Sequence, residues 1–389
     1  MPALLLIPFI CFGMEFNDLF HQALKVSPAI KAQQEKILAS DQAIASEAVY
    51  KNPVLTIGVN DLPLNSDFLK RDLEPMQTQF IGITQELETF GKLDLKEAIL
   101  KTDTLILEYE LEDMKVDLYK KTALVVEKIS VFDSLLELLE QKKANLEMLE
   151  DYYEKSISVA DNFKVSVEVQ KKIFNVQDKM LDIQDKITSF KNEFEYLTSQ
   201  EYSVVTPANI SAEFLQEDIK KSPKYKVFEL KRKKLEFQSR LEQRQKYSNV
   251  KLNVSYNHRQ NFDDYLSFST SFALPVYGSE DAKVQRTKYF INENEQKEDD
   301  YLKNKAMLFN NMYKKTEYLK KRIKNIDSII KRYKELNEYD RSNIKNQVTL
   351  EKNVQNENLL LDLKIEKLKY ELDIRTAMLE LFYITKEGI

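Results

Sequence analysis

The sequence predicts a mainly α protein with a small β part: long, coiled-coil-like helical hairpins carrying four short strands, laid out twice. Three observations carry this reading. Only 6 glycines and 9 prolines stand against 58 basic and 63 acidic residues in 389, which is the composition of long helices. Apolar residues recur in steps of three and four from Leu111 through Met114, Leu118, Val125, Ile129, Phe132, Leu136, Leu139, Leu146, Leu149 and Tyr153 to Ile157, a sustained coiled-coil-like stripe. The third is a strand-to-helix passage that occurs twice, around Phe90-Gly91 and Tyr277-Gly278.

Taken in order, residues 1–13 hold an apolar core ending in Gly13, too short to span a bilayer and read as a signal peptide. The alternative is a buried N-terminal segment. Cys11, the sole cysteine, lies inside it, so a mature chain would have neither disulfides nor thiol chemistry. Phe16–Tyr50 reads as helix, with a start signal at Ser27-Pro28. Val54, Leu55, Ile57 and Val59 form a first strand, Asp61–Met76 a loop, and a second strand ends near Leu87. A helix over 92–155 and its return over 160–197 make a first hairpin, and Thr198–Ser211 is a linker.

The second half replays the first. Leu19, Leu24 and Ser27-Pro28 match Phe214, Ile219 and Ser222-Pro223 at a constant offset of 195 residues. We therefore expect two structural repeats, 14–205 and 206–389. Residues 225–247 are the second short helix; Val250, Leu252, Val254 and Tyr256 mark a third strand, and His258–Asp264 a loop. In the fourth strand Leu266, Phe268, Phe272 and Leu274 alternate with Ser267, Ser269, Ser271 and Ala273, giving one apolar and one small polar face. Pro275 ends it. Ser279-Glu280-Asp281 opens a second long helix to about residue 345, followed by a return helix.

At about 1.5 Å per residue each long helix runs close to 100 Å, and a return helix plus a short helix nearly match it, which suggests a tube wall. Four strands cannot close a barrel, and open edges are a liability in water or lipid. Apolar-out, polar-in alternation marks a lipid-facing barrel, so several copies would be needed, twelve strands coming from three. The alternative is a small half-buried sheet in a soluble protein.

The net charge of −5 comes from mixed signs, with no basic face for nucleic acid. His21 and His258 stand far apart, no phosphate loop or nucleophile motif occurs, and methionines are scattered. The expectation is therefore no enzyme, no cofactor and no metal.

The ordered set of Ser-Pro helix starts, strand pairs, aromatic-glycine exits and hairpin tips, occurring twice, resembles the TolC-like outer-membrane efflux protein family. The resemblance implies a homotrimer with a long α-helical tunnel through the periplasm and a 12-stranded transmembrane β-barrel in outer-membrane lipid. It implies a passive exit duct of a tripartite efflux or type I secretion system. Its partners would be a periplasmic adaptor (membrane fusion) protein and an inner-membrane pump of RND or ABC type. It places adaptor-contacting tips at Lys155, Ser156, Ile157, Ser158 and Val159 and at Asn346, Gln347, Val348, Thr349 and Leu350. Lys155 and Asn346 stand where the family usually has glycine. Glu351 and Glu357 are candidates for an entrance gate, solvated helix-face acids being the plainer reading. Phe90 and Tyr277, at the sheet exits, are candidate membrane-interface anchors. The competing class is a periplasmic coiled-coil scaffold or adaptor without a channel.

Overall fold

The computed structural model describes residues 14–62, 70, 76–155, 160–210, 213–342 and 347–389, and for 160–162, 340–342 and 347–350 the backbone alone. The expected signal peptide, most of the loop Asp61–Met76, and the tip residues Ser156, Ile157, Ser158, Val159 and Asn346 lie outside the described residues.

The elements run α1 (Phe16–Val26), α2 (Pro28–Glu47), β1 (Val54–Asn60), β2 (Thr78–Leu87), α3 (Lys92–Glu154), α4 (Ala160–Thr198), a 3-10 helix (Gln216–Lys221), α5 (Pro223–Gln245), β3 (Val250–His258), β4 (Tyr265–Phe272), α6 (Ser279–Ser342) and α7 (Gln347–Thr385). The expected order is observed, with one correction. The helix read over Phe16–Tyr50 is two helices. Pro28 has no N–H to donate, and its ring pushes Ser27 out of helical geometry, to ψ 114°. The Ser27 hydroxyl accepts from the Ile30 N–H at 3.4 Å, capping the new start. In the second half the segment before Ser222-Pro223 is a six-residue 3-10 helix where the first has the eleven-residue α1.

The chain forms two compact units. One comprises Met1–Ala32, Glu112–Pro223 and Leu302–Ile389; the other comprises Gln33–Leu111 and Lys224–Tyr301. In the first unit, Met14 pairs in parallel with Val205, tying the start of the described chain to the linker after α4. Phe16 and Phe20 set their rings edge-on to Tyr119 of α3, which stacks on Phe382 of α7 at 4.9 Å. Leu139, Leu146, Leu149 and Tyr153 of α3 pack with Val169, Ile173 and Val176 of α4 and Val354 of α7. The four on α3 belong to the apolar stripe read from the sequence. The buried set on α3 is wider than that stripe, adding Val116, Ala123, Val126 and Leu135.

The second unit holds the antiparallel sheet, in the order β1-β2-β3-β4. Both hairpins are joined by the pairing of β2 with β3, in which Ile83 faces Val254 and Ile81 faces Tyr256. The same unit holds most of α2 and α5 and the first parts of α3 and α6. Gln33 donates to the Leu107 carbonyl at 3.0 Å, and Tyr225 donates to Glu298 at 2.9 Å, with Arg232 on the other carboxylate oxygen at 3.2 Å.

Candidate functional site: a bare apolar sheet face and two unfilled helix seams

Register assigns every strand residue to a face. Leu55, Ile83, Val254 and Phe268 form one row, and Ile57, Ile81, Tyr256 and Leu266 the next. This face is the uncovered one, with Ile57 72% and Phe268 74% exposed. On the other face stand Thr56, Gly82, Ser255 and Ser267, then Thr84, Asn253 and Ser269. That polar face is the more covered, with Thr78, Ser255 and Asn257 buried. A sheet in water does the reverse, because apolar area is what gains from leaving it. The row Gly58, Phe80, Asn257 and Tyr265 brings two aromatics onto the polar face, Tyr265 on β4 and Phe80 on β2. A Cβ at Gly58, its direct partner, would sit 2.6 Å from the Phe80 ring, so only glycine leaves room.

The strand-to-helix exits differ. Phe90 and Gly91 both take left-handed backbone, φ 59° and 68°, whereas at the second exit only Gly278 does, at 66°. Left-handed geometry is costly for a residue with a Cβ. The Phe90 ring lies 4.6 Å from that of Tyr247, a contact that helps hold it. Tyr277 is 95% exposed. The junction is laced with polar contacts. Buried Lys92 donates to Asn249 at 2.7 Å and to the Tyr247 carbonyl, and Asn249 donates to Glu86 at 2.9 Å. Burial pushes the Lys92 ammonium below its usual range.

Between β3 and β4 the chain turns around Asp264. Its carboxylate accepts from the Tyr256 hydroxyl, from the Arg259 N–H at 3.0 Å and lies 3.0 Å from His258 Nδ1. These bonds, the hydroxyl's first, hold it down to about 2. The Arg259 guanidinium lies over Phe262 and Tyr265. His258, exposed at the surface, is part of this loop-ordering cluster.

At the hairpin ends, Lys155 follows α3 and pairs with Asp151 at 2.5 Å. Among the described residues the non-glycine positions with positive φ are Asp61, Phe90 and Ser199, so Lys155 takes no left-handed turn. Gln347, Val348, Thr349 and Leu350 open α7. Glu351 accepts from the buried Tyr153 hydroxyl at 2.7 Å and from Gln355 at 3.1 Å. Burial first, and this carboxylate second, push the Tyr153 hydroxyl up to about 12. Glu357 lines a separate groove with Gln141, Asn145, Lys334, Asn337 and Glu338, so the two acids do not stand together as a pair.

Cross-helix contacts within the first unit give the order α4–α3–α7–α6. Phe132 meets Phe190 edge-on at 5.3 Å, Lys142 pairs with Asp362 at 2.6 Å, and Lys367 with Asp327 at 2.6 Å. The two middle helices are covered on most sides. α7 is exposed along one stripe, which runs Lys352, Gln355, Leu359, Asp362, Glu366, Lys369 and Asp373. The outer two are covered along a single seam, such as Val169, Ile173 and Val176 on α4 or Leu319, Ile323 and Ile326 on α6. Each then carries large apolar side chains facing water. On α4 these are Phe163, Val167, Phe174 and Leu181, again in steps of four and seven; on α6 they include Tyr318, Ile329 and Tyr339.

No protein-family profile matches this sequence, and no curated protein sequence does. Solved structures do match it. CusC, studied for transmembrane channel formation, superimposes with a TM-score of 0.78 at 10% identity, over 96% of this chain and 92% of that one. The outer-membrane channel OprN gives 0.77 at 12% identity, over 96% and 90%. The open-state MtrE outer-membrane channel of Neisseria gonorrhoeae gives 0.76 at 14% identity, over 96% and 89%. With so little sequence in common, what is shared is the fold. The TolC-like arrangement of long helices and four strands implied by the resemblance is the arrangement this chain adopts.

Proposed function

We propose that the chain is the outer-membrane duct of a tripartite efflux or type I secretion system, set in outer-membrane lipid and extending into the periplasm. The observation that carries the reading is the sheet with its apolar face bare and its polar face the more covered of the two. Such a face needs lipid against it, and a four-stranded sheet with two free edges needs further copies to close. The unfilled seams on α4 and α6 support the same conclusion, since one copy's α4 against the next copy's α6 would cover both. We read the assembly as a homotrimer with a 12-stranded barrel, since three copies of a four-stranded sheet supply twelve strands.

In this reading the duct is passive and not an enzyme. An inner-membrane pump and a periplasmic adaptor deliver the cargo. The adaptor meets the tips around Lys155–Val159 and Asn346–Leu350, Phe90 and Tyr277 sit at the membrane boundary, and Glu351, held by Tyr153, is favoured over Glu357 as a gate residue. The chain comprises two repeats, 14–205 and 206–389. The matched helix lengths, 63 and 64 residues for α3 and α6 and 39 for both α4 and α7, support that division.

Carbonate washing of membranes tests the central claim. The duct stays in the pellet and is extracted by detergent at the mass of a trimer, whereas a periplasmic scaffold washes off as a smaller species. Ile157→Asp combined with Val348→Asp tests the tips: efflux should be lost with trimer yield unchanged. Normal efflux from an intact trimer would place the adaptor elsewhere.

A further inference from the structure

The sheet ends in two strands with one unpaired edge each, β1 of seven residues and β4 of eight. An edge left open in lipid strands its N–H and C=O groups. Under the duct reading, on which this inference rests, β4 of one copy is completed by β1 of the next. We infer the register of that seam: Phe268 stands opposite Val59 of the next copy, so that Thr270 faces Ile57, Ser271 faces Thr56 and Phe272 faces Leu55.

Three constraints select it. The first is the faces. Within the chain Leu55, Ile83, Val254 and Phe268 form one apolar row. When that row reaches the next copy's β1, it must land an even number of residues from Leu55, because an odd shift would set apolar against polar.

The second is strand tilt. Four strands spaced about 4.8 Å apart carry the row about 19 Å around the wall, and each residue of shift moves it about 3.3 Å along the strand. A shift of four residues tilts the strands by about 35°, a shift of two by about 19° and of six by about 46°. Lipid-spanning barrels tilt by about 35–45°. The relation depends only on the shift per copy, so it holds whatever the number of copies.

The third is overlap. The four-residue shift sets all of Val54–Asn60 against 267–273, nearly the whole of β4. A six-residue shift runs β1 onto Pro275, which has no N–H to give, and leaves Tyr265–Phe268 unpaired. A four-residue shift in the opposite direction sets β1 against the loop before β4. Only the inferred register meets all three conditions.

Disulfide trapping in the full-length chain tests it. Cys11, the single cysteine, is changed by Cys11→Ser, and Thr56→Cys is combined in turn with Ser269→Cys, Ser271→Cys and Ala273→Cys. Within one chain β2 and β3 separate Thr56 from β4, so any bond formed joins two copies. Directly opposed side chains have Cβ atoms about 4.5–5.5 Å apart and diagonal ones up to about 7–8 Å, which separates the three pairs. The expected result is a covalent oligomer ladder from the Ser271 pair, well ahead of the other two. A leading Ser269 pair means a shift of two, and a leading Ala273 pair a shift of six. Either overturns the register and leaves the duct standing, as does an intact oligomer with no cross-link from any pair. If Thr56→Cys blocks assembly, Val54→Cys with Ala273→Cys reads the same register. A chain that is monomeric and washes off the membrane overturns the duct reading itself, and the seam with it.

Discussion

The middle and outer helices of the first unit share a sequence style and differ in what covers them. α7 and α3 are walled in by neighbours, so α7 leaves one charged stripe open and α3 buries residues well beyond its apolar repeat. α4 and α6 meet one neighbour each, and the next apolar residues around them face water. A helix that finishes in one chain has one seam, as α-hairpins ordinarily do. A helix built for a closed wall needs two. The difference teaches that the outer helices carry a second apolar side which the single chain leaves open, as the proposed assembly requires.

The largest effect that separates the two classes should come from truncation. Ile129→Ala on α3, at a fully buried position, should lower protomer stability by about 2–5 kcal/mol in a urea titration. Phe174→Ala on α4, 66% exposed, should leave that titration within about 0.5 kcal/mol while lowering the yield of oligomer. Equal effects on protomer stability would erase the distinction between covered and uncovered helices. The sheet allows the same contrast across one peptide bond. Phe268→Arg should cost assembly about 2–4 kcal/mol by placing charge in lipid. Ser269→Arg should assemble normally and change conductance, and a reversed order would exchange the two faces.

Smaller effects sharpen how α3 is held to α7. Tyr153→Phe should cost about 1.5–3 kcal/mol, the range for a hydrogen bond to a charged group. The Tyr153 hydroxyl titrates at about 12, above an ordinary tyrosine. Its contribution is therefore complete below pH 10 and lost as pH rises through 12. Wild-type protein should weaken over that window, and Tyr153→Phe should weaken less. Lys155→Ala removes only an exposed pair with Asp151, worth about 0.3–0.5 kcal/mol by thermal melting.

How much was legible follows from distance along the chain. The strand faces were plain because a period of two is local, and Phe268 and Ser269 fall where alternation puts them. The break at Ser27 was readable as a start signal, yet it also ends a helix, because the proline acts on both sides. What was missed depends on remote partners. The β2–β3 pairing joins residues on opposite sides of two long helices. Tyr153 meets Glu351 across 198 residues, slightly more than a repeat, and Phe90 meets Tyr247 across most of one. The second buried side of α3 escaped for another reason. Thr122 and Ala123 are small side chains with little weight in an apolar periodicity, and Val126 and Leu135 adjoin Val125 and Leu136, which already satisfied the period.

In the duct proposed above, Gly58 has a consequence for flow. Passage through a narrow wet bore is governed by its tightest ring, and Phe80, one of the large side chains on the polar face, can lie flat because its partner has no Cβ. The calibre of the passage at that level is thus set by an absent side chain. Any residue larger than glycine there would tip the aromatic ring away from the wall. A single methyl group on β1, repeated once per copy, would throttle the whole conduit.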